Sequence, residues 1–101
     1  MAINPEVKHI LTEAPYITLV TVDGGGNPHS IAVTGAKDIG VDTITFGVWK
    51  MHKTRENIKD NHKFQVVAVA GKQGYRLTGK AALNADETAI NFTVEAAQAL
   101  L

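Results

Sequence analysis

A short run, Met51-His52-Lys53-Thr54, joins a β-like segment to a polar one and holds the most suggestive chemistry in the chain. A helix starting here would aim several unpaired backbone N–H groups outward and carry a partial positive charge. A phosphate group fits such a place, with Lys53 adding a point charge and Thr54 a hydroxyl donor. The flanking residues strengthen that field. Residues 50–63 carry Lys50, Lys53, Arg55, Lys59 and Lys63 against Glu56 and Asp60, a net +3 in a chain whose ten basic and ten acidic residues cancel overall. The same segment also reads as an ordinary solvated helix with Thr54 as its N-cap, and spacing alone does not decide between the two. Trp49, the single tryptophan, lies just before it. It is either a core or interface aromatic or a flat wall beside a planar ligand.

Other chemistries find no support. With no cysteine in the chain, disulfides, thiolate metal sites and cysteine nucleophiles are excluded. His9, His29, His52 and His62 show no paired metal-ligand spacing. Gly74-Tyr75-Arg76-Leu77-Thr78-Gly79-Lys80 follows a P-loop for seven positions, but Ala81 then lacks the hydroxyl that would hold magnesium, and the context is strand rather than loop and helix. Ser30 lacks a nucleophile-elbow context. Asp23, Asp38 and Asp42 sit among turn residues. A balanced charge lacks the field of a general nucleic-acid binder, and no apolar run approaches the ~20 residues of a membrane span. The N-terminus lacks the layout of a signal peptide. The expectation is a cytoplasmic protein bound to neither nucleic acid nor membrane.

The 101 residues make a single domain, 1–101, of ordinary globular composition. Asn4-Pro5-Glu6 is a helix start, and Val7, Ile10, Leu11 and Ala14 recur on one face up to Pro15, which predicts a helix over 5–14. Residues 16–22 and 29–34 have strand composition and flank the turn Asp23-Gly24-Gly25-Gly26-Asn27-Pro28, which predicts a hairpin. Residues 35–42 read as a loop or a frayed continuation. A third strand follows at 43–49, and a short helix is expected within 50–63, closed by Asn61. Residues 64–70 are apolar enough for a strand buried on both faces. After a tight turn at 71–74 comes a fifth strand over 75–83, with Gly79 marking a bulge or bend. A sixth is expected at about 89–95, followed by an ordered C-terminal hook. The fold class is mainly β: a small six-stranded barrel with one or two short helices, its apolar residues turned inward and no edge left free.

The order of these pieces is familiar. Tyr16-Ile17-Thr18-Leu19-Val20-Thr21-Val22-Asp23-Gly24, then Gly26-Asn27-Pro28-His29-Ser30, resembles the opening hairpin of the FMN-binding split-barrel superfamily, the pyridoxamine 5′-phosphate oxidase-related proteins. The run 47–57, Gly-Val-Trp-Lys-Met-His-Lys-Thr-Arg-Glu-Asn, is similar to the phosphate-binding strand-to-helix segment of the small bacterial FMN-binding proteins. Residues 74–81 and 90–101 resemble their glycine-bent strand and their closing strand with its C-terminal hook.

The resemblance implies a split β-barrel that holds FMN noncovalently at a homodimer interface. Lys53 and Thr54 would bind the FMN phosphate with His52 and Met51 nearby. Ala32, Val33 and Thr34 would lie along the isoalloxazine, and Val48 and Trp49 would touch the ring or the ribityl chain. Gln98 and Leu101 are candidates to approach the partner subunit's flavin. No metal and no catalytic acid–base pair is implied. The implied function is electron or hydride transfer through the flavin, with a redox protein or a nicotinamide nucleotide as partner. The alternative is a carrier of FMN or of another planar cofactor such as haem or a deazaflavin. Two departures stand out. The connection at 84–88 is shorter than the family's usual helical segment. His52 stands where larger oxidases place an arginine, and their substrate-phosphate residues find no counterpart, which points away from pyridoxamine phosphate oxidation.

Overall fold

The computed structural model describes residues 3–100. In chain order they form α1 (Pro5–Glu13), β1 (Ile17–Val22), β2 (Pro28–Val33), β3 (Asp38–Ile39), β4 (Thr43–Gly47), α2 (His52–Asn61), β5 (Lys63–Ala70), β6 (Gln73–Leu83) and β7 (Ala89–Ala99). Among the described residues no helix is long and apolar enough to cross a membrane.

Helix α1 forms as its first residues require. Asn4 Oδ1 accepts from the Val7 N–H at 2.9 Å, Pro5 occupies the first turn, and Val7, Ile10 and Leu11 are buried. The seven strands make one antiparallel sheet in the order β2-β1-β5-β6-β7-β4-β3. Its inner face is the expected period-2 alternation: Ile17 and Leu19 of β1, Ile44 and Phe46 of β4, Phe64 and Val66 of β5, Leu77 of β6, and Ile90 and Phe92 of β7 are each at most 1% exposed. Phe64 sits at the centre of an aromatic row, its ring 4.9 Å from Phe92 and 6.2 Å from Phe46. Helix α2 packs on β1, β5 and β6 and contributes Ile58, which is fully buried.

Four expectations are corrected. The strands number seven rather than six, because Asp38 and Ile39 pair with Thr45 and Ile44 inside the stretch read as a loop. The sheet ends at β2 and β3, so two edges are left free where none was expected, and the barrel is split as the resemblance implied. β5 is buried on one face only, leaving Val69 43% exposed. The C-terminal hook is more strand: β7 runs on to Ala99, which pairs with Tyr75 of β6. The bulge foreseen at Gly79 is present. Thr78 pairs with Ala96 and Gly79 with Val94, so Glu95 is the extra residue. A Cβ on Gly79 would lie on the Thr93 carbonyl oxygen, which is why glycine stands there.

Candidate functional site

The split between the end of β2 and the exit of β4 is a cleft of about 670 Å³, within the size range of small-molecule sites. One wall is residues 31–35, continued by Lys37, and the other is residues 47–51. The chain itself bridges the split, since the Lys37 N–H donates to the Thr45 carbonyl at 2.7 Å. The walls are mostly apolar. Ile31, Val33, Val48 and Met51 pack against the core from the cleft side, and Trp49 stands at the rim, 79% exposed. Among the described residues, the charged ones that line the cleft are Lys37 and Lys50, and no carboxylate lines it.

Helix α2 begins immediately beyond the cleft wall. Its N-cap is Met51, in the left-handed conformation at φ 57°, with no side-chain hydrogen bond to the first turn. Lys50 before it is also left-handed, at φ 61°. Two successive non-glycine residues in that region cost on the order of 1–3 kcal/mol each, and strain of this kind concentrates at functional sites. The first N–H groups of a helix find no acceptor within the helix itself, and the N-cap side chain supplies none here. Thr54, which the sequence offered as an N-cap, instead lies inside the first turn. It is 1% exposed, and its hydroxyl has no hydrogen-bond partner among the described residues.

Of the nine residues singled out from the sequence, Ala32, Val33, Thr34, Val48, Trp49 and Met51 line the cleft together, and His52, Lys53 and Thr54 do not. His52 is exposed, and its Nδ1 lies 2.7 Å from Arg55 Nη2. A guanidinium only donates, so Nδ1 is the acceptor. Lys53 borders a different depression, lined also by Asp23, Glu56, Asn57, Lys59 and Asp60. There the Asp23 carboxyl is held below its ordinary 3.8, chiefly by the Asn27 backbone N–H, then by the Asn27 side chain, with Lys53 a smaller contributor. Gln98 is exposed on β7 opposite Arg76, away from this cleft, and Leu101 falls outside the described residues. Among the described residues no group of three or more His, Cys, Asp and Glu could hold a metal.

Sequence reasoning missed Lys37 and Lys50 as cleft residues. Lys37 is a lone lysine in a connection, without a motif, and Lys50 entered only as part of the basic run 50–63 and of the segment 47–57. The available signal was Gly47 within a β-rich run. The Lys37 stem lies over its bare Cα, so that a Cβ there would stand 3.3 Å from Lys37 Cδ.

The family model for pyridoxamine 5′-phosphate oxidase matches residues 3–99. No curated protein sequence matches the chain. Solved structures with the same fold include HupZ of Group A Streptococcus, 21% identical with a TM-score of 0.84 over 96% of this chain and 93% of that one. An FMN-binding protein from Syntrophomonas wolfei is 16% identical with a TM-score of 0.73 over 93% and 88%. An F420 reductase is 16% identical with a TM-score of 0.71 over 90% and 94%.

Proposed function

This chain belongs to the pyridoxamine 5′-phosphate oxidase family, and from that premise we propose that it is a small homodimeric flavoprotein holding FMN noncovalently in the β2–β4 cleft for electron or hydride transfer. The observation that carries the reading is the pairing of that cleft with an uncapped helix start. Among the described residues, an apolar slot lined by two lysines and no carboxylate adjoins a first turn with no side-chain cap and a buried Thr54 hydroxyl without a partner. These features suit a planar ring with a phosphate tail.

In this reading Ala32, Val33 and Thr34 lie along the isoalloxazine, and Val48 and Trp49 along the ring or the ribityl chain. The phosphate sits by Met51 and the first turn of α2, where the backbone N–H groups of His52, Lys53 and Thr54 and the Thr54 hydroxyl receive it. The flavin, when bound, supplies the hydride and electron chemistry. The protein's share is to hold the ring between apolar walls, exclude water and neutralise the phosphate. Exposed apolar groups, Trp49 at the rim and Val69 at 43% exposure on the outer face of β5, are what a second copy would cover.

A second reading is a binding or carrying module without turnover, for FMN or another planar cofactor. It is favoured by a cleft whose ionisable lining residues are both lysines, with no acid–base pair, and by the likeness to a protein that handles the deazaflavin F420. Purified protein separates these. Bound FMN gives flavin bands near ~370 and ~450 nm and, in the first reading, bleaches under NADH or NADPH at turnover rates. A spectrum without flavin bands, in protein that takes up no FMN on dialysis, sinks the FMN reading. Bound FMN inert to both nucleotides favours the carrier.

A further inference from the structure

We propose that Glu87 is a positioning residue: from outside the cleft it holds the first turn of α2 against the β4 wall through Arg55, and so sets the N–H groups that receive the ligand's phosphate. The inference rests on the FMN reading and deepens it with a residue that touches no ligand.

The turn at 84–88 grips both sides of the link between β4 and α2. Its backbone takes the wall, where the Thr88 carbonyl accepts from the Val48 N–H at 3.0 Å. Its side chain takes the helix, where Glu87 Oε1 lies 3.4 Å from Arg55 Nη1 and 3.4 Å from Lys59 Nζ. Arg55 belongs to the start of α2, and its own N–H donates to the carbonyl of the N-cap, Met51, at 2.9 Å. Residues 49–54 lie between these two anchors. They include Lys50 and Met51, both left-handed, and Thr54 with its buried hydroxyl. Backbone in that region persists only where the surrounding structure over-determines it, and two anchors from one turn supply that constraint.

The contact is docked rather than loose. The Arg55 side chain is 24% exposed, its Nε is shut away from solvent, and its Nη2 lies 2.7 Å from Nδ1 of His52, the first residue of α2. Through one guanidinium, Glu87 therefore reaches the beginning of the helix. Lys59 is 57% exposed and is the weaker arm. Glu87 is itself left-handed at φ 57°, a place a glutamate rarely takes. The turn holds it there: its N–H donates to the Asn84 carbonyl at 3.1 Å, and Asn84 Oδ1 accepts from the Thr88 and Ala89 N–H groups at 2.8 and 3.0 Å. Glu87 does not line the cleft.

The sign of the effect separates positioning from plain electrostatics. As a bare charge, Glu87 opposes a bound dianion, so its removal tightens FMN. As a positioning residue it keeps the donors aimed, so its removal weakens FMN and spares a ligand without phosphate.

Purified full chain carries the test, as wild type, Glu87→Ala and Glu87→Gln. In flavin-free protein, Glu87→Ala is expected to lower hydrogen-exchange protection of the Arg55 amide about fivefold or more and to leave the His62 amide at the far end of α2 within about twofold. In titrations, Glu87→Ala is expected to weaken FMN about threefold to tenfold and to leave riboflavin, which lacks the phosphate, within about twofold. Glu87→Gln keeps an acceptor oxygen for Arg55 and is expected to fall between wild type and Glu87→Ala. With wild-type FMN binding intact, three results overturn the positioning role alone: unchanged Arg55 protection in Glu87→Ala, FMN bound by either variant as tightly as by wild type or more tightly, or equal losses of FMN and riboflavin. Wild-type binding of neither flavin overturns the FMN reading and takes the phosphate role with it, and the exchange comparison then decides whether Glu87 holds the helix start.

Discussion

Asn57 Nδ2 donates a 3.0 Å hydrogen bond to Thr21 Oγ1, and both residues are 2% exposed. This bond ties the middle of α2 to β1, and a second, from Asn61 Nδ2 to the Val22 carbonyl at 2.8 Å, ties its end. Together they fix where the helix starts, and so where its free N–H groups stand relative to the cleft. Asn57→Ala strands the Thr21 hydroxyl in the interior and is expected to cost about 1–3 kcal/mol. Thermal melts of Asn57→Ala, Thr21→Val and the double variant check it. Because the double variant removes both partners, its loss is smaller than the sum of the singles. A strictly additive result would mean that the two groups do not depend on each other.

Gly79 and Gly35 make opposite forecasts. A Cβ on Gly79 would collide with the Thr93 backbone oxygen and lie 3.1 Å from the Phe92 ring, and neither the strand nor the core can yield freely. Gly79→Ala is therefore expected to destabilise by about 3 kcal/mol or more, at the upper end of overpacking costs. A Cβ on Gly35 meets nothing within 4 Å, and its φ is not left-handed. Gly35→Ala is expected to raise stability by about 0.4–1 kcal/mol through the unfolded chain. Denaturant midpoints at constant slope measure both, and equal effects would contradict the geometry.

Acid should loosen the first hairpin. Asp23 Oδ1 accepts from the backbone N–H groups of Gly25 and Asn27 at 2.9 Å each, and both carboxylate oxygens accept from Asn27 Nδ2. Its pKa is lowered from 3.8, first by the Asn27 backbone bond. A depressed carboxyl binds protons less readily in the folded chain than in the unfolded one. Its stabilising contribution is thus complete above the ordinary value and is lost as pH falls through the lowered one. An NMR titration of the Asp23 carboxyl should give a midpoint below 3.8, with the Gly25 and Asn27 amides shifting in step. A midpoint at or above that value would remove the argument.

Where local chemistry and tertiary contact agree, the fold is legible in the residues. Asn4-Pro5-Glu6 opens α1 because cap, ring and charge all act within one turn. The turn at 23–28 sits between strands that pair in the register the alternation demands, Leu19 with Ile31 and Val20 with Ser30. β3 is not legible, because two residues have no period and gain their strand state only from β4. The last third of β7 is not legible either. Ala96, Ala97 and Ala99 carry helical propensity, and the register past the bulge that makes them strand belongs to β6. The cleft divides the same way. Its apolar wall residues follow from strand patterning, whereas Lys37 and Lys50 line one cleft only because the fold sets residues 31–37 against residues 47–51. Met51 in a left-handed cap has no signature, since side chains beyond glycine and asparagine rarely take that place.

Thr54 offers a test in which stability and binding move in opposite directions. Its hydroxyl is buried and without a partner, so the ligand-free protein carries the desolvation cost of that group. Thr54→Val keeps the branched shape and removes the oxygen. Relief of one unsatisfied polar atom is of order 1–3 kcal/mol, so the apo variant is expected to melt several degrees higher. If the hydroxyl serves the phosphate, the same variant binds FMN about tenfold more weakly and riboflavin unchanged. FMN would then raise the melting temperature less in the variant than in the wild type, because stabilisation by ligand follows affinity. A variant that is more stable when apo and retains full FMN affinity would leave Thr54 as a packing residue and remove the hydroxyl from the phosphate site.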